Sequence, residues 1–142
     1  MIKELTPTHS EIDELAQIWL ASNLSAHAFI PAEYWQKNYT DVKELLTDAR
    51  LFAYYREDKI VGFLGLMEQY IAGIFVRDAY QHQGIGKALM AEVKKQQTKL
   101  SLSVYAKNEQ ALHFYQKQNF VCTGSQVEQD TNELEYQMVW QD

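Results

Sequence analysis

The chain has 142 residues, 46% hydrophobic and 23% charged, the balance of a single soluble domain over residues 1–142 rather than a fibrous or disordered chain. A net charge of −6, with no basic cluster beyond Lys94–Lys95, argues against a nucleic-acid partner and favours cationic ones such as amines. No apolar run approaches the roughly 20 residues of a bilayer span, no secretory h-region is visible at the N-terminus, and the lone Cys122 cannot form an intrachain disulfide, so a cytoplasmic protein without membrane contact is expected.

In chain order, IKEL (2–5) reads as a short first strand. Ser10 offers an N-cap with Asp13 as capping-box partner, and Ile12, Leu15, Ala16 and Trp19 then recur at helical spacing, predicting a helix over about 10–22. SNLSAHAFIPAEYW (22–35) breaks that period. Pro31 opens a second helical region in which Trp35, Tyr39, Val42 and Leu46 share a face.

The period then changes. LFAYYR (51–56), the turn EDK and IVGFLGLM (60–67) predict a hairpin, and YIAGIFV (70–76) a third consecutive strand. The last two are uniformly apolar, which places them centrally in a sheet with both faces covered. Ile85, Ala88, Leu89 and Val93 mark a helix ending near Gln97, and LSLSV (100–104) alternates as a strand. Asn108 caps a further helix whose Ala111, Leu112 and Tyr115 face inward, and Asn119 suits the left-handed position that ends it. FVCTGSQV (120–127) and LEYQMVW (134–140) form a closing hairpin, with Leu134, Tyr136, Met138 and Trp140 on one face and Cys122 read as a small core residue. The expected fold is α/β (α+β), a mixed and mostly antiparallel seven-stranded sheet with helices on both faces.

The stretch VRDAYQHQGIGKALM (76–90) places two close glycines between a strand and a helix. Such a turn is either purely structural or an anion site, in which backbone N–H groups, the helix dipole and Lys87 act together. A dinucleotide fingerprint fails because Leu89 occupies the third glycine position. A P-loop fails because Gln81 and Ala88 stand where Gly and Ser or Thr are needed.

The residues QHQGIG, with Gln81, Gly84 and Gly86, resemble the [RQ]-x-x-G-x-[GA] signature of GCN5-related N-acetyltransferases, the GNAT family. NEQALHFYQKQNF (108–120) resembles a second signature of that family, through Asn108, Ala111, Phe114, Tyr115 and Phe120, with Asn119 replacing the usual Gly. The resemblance covers nearly the whole chain and implies a small bacterial enzyme that moves the acetyl group of acetyl-CoA, without a metal, to a primary amine. That amine is a protein lysine or a small molecule, and the enzyme is a monomer or a homodimer.

The resemblance also implies residue roles. The backbone of Gln81, His82, Gln83, Gly84, Ile85, Gly86 and Lys87 would hold the cofactor phosphates. The sheet would splay between its fourth and fifth strands, and the cofactor would pair with Ile74, Phe75 and Val76, an N–H near Phe75 or Val76 steadying the oxyanion. Asn108 would cap its helix and touch the cofactor, and Tyr115 would be the general acid for the leaving thiolate. Such a transfer needs hydrogen bonding or a depressed phenol pKa to balance it. His27, Phe29, Trp35 and Tyr70 are the candidate acceptor-site residues. Some relatives carry a basic Glu five residues before the Asn, where this chain has Ser103; Glu68 is the first substitute and His27 the second. That departure keeps open an alternative, a non-catalytic acetyl-CoA-sensing module of the same fold.

Overall fold

Thr8, rather than Ser10, caps the first helix: its Oγ1 accepts from the Glu11 N–H while the Glu11 carboxylate accepts from the Thr8 N–H. The computed structural model describes all 142 residues. Strand β1 (Ile2–Leu5) is followed by helices α1 (His9–Ala26), α2 (Ala32–Lys37) and α3 (Tyr39–Asp48). Strands β2 (Arg50–Arg56), β3 (Lys59–Met67) and β4 (Tyr70–Val76) come next, then α4 (Ile85–Lys94) and β5 (Lys99–Tyr105). Helix α5 (Glu109–Lys117) and strands β6 (Val121–Glu128) and β7 (Glu133–Gln141) complete the chain.

Two helix boundaries differ from the sequence expectation. Helix α1 runs a turn past residue 22, because Ser22, Asn23 and Ser25 are poor helix formers but not breakers, and the Asn23 amide returns to the Trp19 carbonyl at 2.9 Å. The second helical region is two helices: the chain turns at Asn38, whose side chain donates to the Tyr34 carbonyl.

The seven strands form one sheet in the order β1-β2-β3-β4-β5-β7-β6, antiparallel throughout except for β4 beside β5. Glu57 and Asp58, both at positive φ, make the two-residue turn between β2 and β3. Strand β3 is buried on both faces, as its unbroken apolar run predicts. One face packs Val61, Leu64 and Leu66 with Ile85, Leu89, Met90 and Val93 of α4 and Tyr115 of α5. The other packs Phe63 and Ala53 under Leu15, Ile18 and Trp19 of α1, Trp35 of α2 and Leu46 of α3. Each such side chain stabilises the fold by roughly 1.5–3 kcal/mol, so β3 is the strand against which both layers are anchored.

Strand β4 is central but not sealed, contrary to the reading of its apolar sequence. Its pairing with β3 moves from Gly65↔Gly73 to Leu66↔Ile71, leaving Ala72 as an extra residue that bends the strand. Pairing with β5 is confined to Tyr70↔Ser101, and residues 73–76 are only partly covered. Cys122 is also a correction: β6 is the outermost strand, exposed along nearly its whole length, and the thiol is exposed with it.

The end of α5 gives a physical reason for its signature. The Phe120 N–H donates to the Tyr115 carbonyl and the Asn119 N–H to the Gln116 carbonyl, both at 3.0 Å, with Asn119 at φ 69°. That is a Schellman closure, and the Tyr115 and Phe120 rings meet across it at 5.9 Å. Asn119→Gly is expected to hold or raise stability, and Asn119→Val to lower it by about 1–2 kcal/mol, the cost of a left-handed conformation for a branched residue. Urea unfolding of the two variants checks this.

Candidate active site

A cleft of about 1210 Å³ runs through the gap between β4 and β5 and along the start of α4. One end is built of main chain. His82 and Gly84 both sit at positive φ, 62° and 80°, and the amides of residues 82–87 donate to no acceptor in the protein. Gly84 is the N-cap of α4 and offers no side chain to its first turn. Those free N–H groups and the helix dipole form an anion-binding end, beside which Lys87 and Lys117 line the cleft. Gln81 pins the loop, its Nε2 donating to the Val76 carbonyl and the Asp78 carboxylate, both at 3.3 Å.

In the middle, strand alternation decides which amides face the gap. The Arg77 N–H donates to the Val61 carbonyl of β3, and Phe75 is paired with Phe63. Phe75 therefore points its backbone groups toward β3, whereas Ile74 and Val76 direct theirs toward β5, which no longer answers them. Of the two amides expected near the oxyanion, Val76 is the one that opens on the cleft. Phe75 contributes its ring, which lies over Gly73 where a Cβ would collide with it.

Tyr115 projects from α5 into this gap. It is 9% exposed, lines the cleft, and its hydroxyl has no hydrogen-bond partner in the protein. Burial first, and then the neighbouring Tyr70, push its pKa well above the ordinary phenol value. The phenol is thus raised rather than depressed, and Tyr115 carries its proton at neutral pH.

His27 is placed differently from expectation. Asn23 spends its Nδ2 on the Trp19 carbonyl, so its Oδ1 faces His27 Nδ1 at 2.9 Å; Asn108 spends its Oδ1 on the Ala111 N–H, so its Nδ2 faces His27 Nε2 at 3.0 Å. The imidazole must donate from Nδ1 and accept at Nε2, which fixes it as neutral. Burial depresses its pKa to about 4. Both nitrogens are occupied, so His27 does not serve as the amine's base; it ties the end of α1 to the N-cap of α5.

The far end of the cleft is aromatic and acidic. Tyr34, Trp35, Tyr105, Glu128 and Glu135 line it, and no Lys or Arg does. The Tyr105 hydroxyl donates to Glu128 Oε1 at 2.8 Å. Burial, helped by Glu128, Asp130 and Glu135, pushes the Tyr34 phenol up to about 12.

Most residues expected from sequence meet in this one cleft: Ile74, Phe75, Val76, Gln81, His82, Gly84, Ile85, Gly86, Lys87, Asn108 and Tyr115, with His27, Trp35 and Tyr70. Three do not line it. Glu68 lies in the exposed β3–β4 turn at positive φ. Gln83 turns its side chain outward to accept from Arg56 at 3.0 Å. Phe29 packs behind the wall, edge-on to His27 and Tyr105. Glu128 and Glu135 were missed because they belong to a hairpin with no motif; the only available signal was that β7 neighbours the strand carrying Ser103.

A splayed mixed sheet with an amide-lined helix start and a buried tyrosine at the gap defines an acyl-CoA-dependent transferase. Comparison with known proteins agrees: residues 20–137 match the model of the acetyltransferase (GNAT) domain. The chain is 34% identical to the peptidyl-lysine N-acetyltransferase YiaC of Escherichia coli, over 99% of this chain and 96% of that protein. It is 33% identical to the peptidyl-lysine N-acetyltransferase YjaB of Escherichia coli, over 82% and 80% of the two chains. The solution structure of apo YjaB from that organism superposes with a TM-score of 0.86 at 29% identity, covering 99% and 97%. An aminoglycoside 6′-N-acetyltransferase complexed with coenzyme A shares the fold alone, with a TM-score of 0.79 at 14% identity, covering 99% and 96%. The chain belongs to the GNAT acetyltransferase family and is an acetyl-CoA-dependent N-acetyltransferase.

His27 gives the fold a pH dependence of defined sign. Between the unfolded value near 6.5 and the folded value of about 4, the unfolded chain binds a proton that the folded one refuses. The His27 contribution is therefore complete above pH 6.5 and lost as pH falls toward 4, by roughly 1–3 kcal/mol. Urea unfolding of His27→Gln should show a shallower loss of stability than the parent over that window.

Proposed function

We propose that the enzyme acetylates lysine side chains of peptides or proteins, holding both substrates in the cleft at once so that the amine attacks directly. The observation that carries this reading is the polarity of the cleft, with Lys87 and Lys117 at one end and Glu128 and Glu135 at the other. A polyanionic cofactor and a cationic acceptor are thereby drawn to opposite ends. The names of YiaC and YjaB, similar over most of this chain, support lysine in particular.

Bound acetyl-CoA supplies the acetyl group as a thioester with a thiol leaving group. The amides of residues 82–87 and Lys87 hold its pyrophosphate, and Gln81 keeps their loop against β4. The open edge at Ile74 and Val76 receives the pantetheine arm as β5 would otherwise be received. The Val76 N–H donates to the thioester oxygen as negative charge develops there. Tyr115 delivers its proton to the sulfur as the carbon–sulfur bond breaks. A thiolate formed beside the buried phenol is destabilised as the phenolate is, which narrows the apparent mismatch of the two pKa values.

Tyr115→Phe is expected to keep the fold and to lower kcat roughly 10- to 1,000-fold, up to the usual range for lost acid catalysis, because water partly substitutes. Unchanged turnover at saturating acetyl-CoA, with chemistry rate-limiting, removes Tyr115 from the mechanism. A panel of lysine peptides, polyamines, amino acids and aminoglycosides, read by release of the CoA thiol, tests the acceptor. Preference for a free small amine over every lysine peptide would overturn the peptide reading.

A further inference from the structure

We infer that Glu135 is the base that deprotonates the incoming ammonium, replacing from β7 the carboxylate that β5 lacks at Ser103. The inference rests on the acetyl-transfer reading and names a residue that reading leaves open.

Strand register puts the carboxylate in the right place. Tyr105 pairs directly with Glu135, and Ser103 with Gln137. Ser103 and Tyr105, two residues apart, share the cleft face, and a residue opposite Tyr105 shares it too. Glu135 is thus the diagonal neighbour of Ser103, a separation of about 7–8 Å that a glutamate side chain and one water can span.

Its surroundings fit the task. Glu135 is 9% exposed and lines the cleft, and Gln126 Nε2 donates to its Oε1 at 2.7 Å. Its Oε2 has no hydrogen-bond partner and no salt bridge in the protein. Glu128 is differently occupied: its Oε1 already accepts from Tyr105 and from Thr131 at 3.0 Å, a brace more than a free base. Tyr105 of β5 is the cross-strand partner of Glu135, which surrounds Tyr34 of α2 together with Glu128 of β6 and Asp130 of the β6–β7 turn, none of them cationic at neutral pH. Lys107, from the neighbouring loop, is committed to Glu133 at 3.1 Å. In the same wall the Trp35 indole N–H is buried without an acceptor. That orphaned donor leaves this wall incomplete, as a wall completed by a ligand would be.

The proton balance is as follows. Glu135 Oε2 takes one proton from R–NH3⁺ and releases it to cleft water. The amine nitrogen forms the new bond to the acetyl carbon, and the carbon–sulfur bond breaks. Tyr115 gives its proton to the sulfur and regains one, through water, from the nitrogen that becomes the amide. The sum is amide, free thiol and one proton to solvent.

The test is Glu135→Gln, which retains an acceptor for Gln126, assayed for CoA release from pH 6.5 to 9.5. At pH 7, kcat/KM should fall by about 100-fold, the low end of general-base effects, and the deficit should shrink to under about tenfold by pH 9.5 as free amine becomes abundant. A lysine isostere of lower amine pKa should restore part of the rate at pH 7. Acetyl-CoA affinity by calorimetry and the melting temperature should stay at parent values. A deficit that is constant with pH, or no deficit, overturns the assignment. The assay uses whichever amine the parent enzyme accepts, so a failure of lysine peptides as acceptors would sink the peptide reading and still leave Glu135 testable.

Discussion

One extra residue shapes the cleft. Ala72 has no partner on β3, and the bend it puts into β4 ends pairing with β5 after Tyr70↔Ser101. A sheet ordinarily saturates its backbone groups along every internal strand. Here the amides of Ile74 and Val76 are left unanswered inside the molecule, which is a cost unless a ligand meets them. The same bend exposes the middle of β4 to α5, so that Tyr115 stands across the gap. The proposed cofactor edge, oxyanion donor and acid therefore all follow from a single irregularity in strand register.

The proposed proton chemistry depends on the burial of the Tyr115 hydroxyl. In water a phenol of pKa about 10 is a poor match for a thiolate of conjugate pKa about 8.5, and burial of Tyr115 makes the phenol alone a still weaker acid. Desolvation acts on any anion placed in the same gap, however, so the comparison that matters is between two anions sharing one environment. The raised phenol then has a use. Tyr115 is kept protonated at neutral pH, so the form needed by the proposed acid is the one present.

The succession of strands and helices and both signatures were legible in the sequence because each is a local consequence of local residues. A hairpin turn at Glu57–Asp58, a helix cap at Asn108 and a left-handed stop at Asn119 all act within a few positions of themselves. The amide-lined end of the cleft was legible for the same reason, since its donors are consecutive amides. The acceptor end was not. Glu128 and Glu135 meet Tyr34 and Tyr105 only because β7 lies beside β5 and α2 folds over it, a long-range arrangement without a spacing rule. Cys122 was misplaced for a related cause: a strand's pattern does not say whether another layer covers it, and none covers β6.

The chain of hydrogen bonds from Trp19 through Asn23, His27 and Asn108 to Ala111 joins these two kinds of information. Each member has its orientation set by the next, because every amide oxygen and nitrogen has one partner that admits only one assignment. Protonating His27 would place a donor against the Asn108 amide hydrogens, and the chain would have to break at that point. The cap of the helix that carries Tyr115 is thus held by the end of α1. A histidine with both nitrogens engaged serves this site as a structural link between α1 and α5.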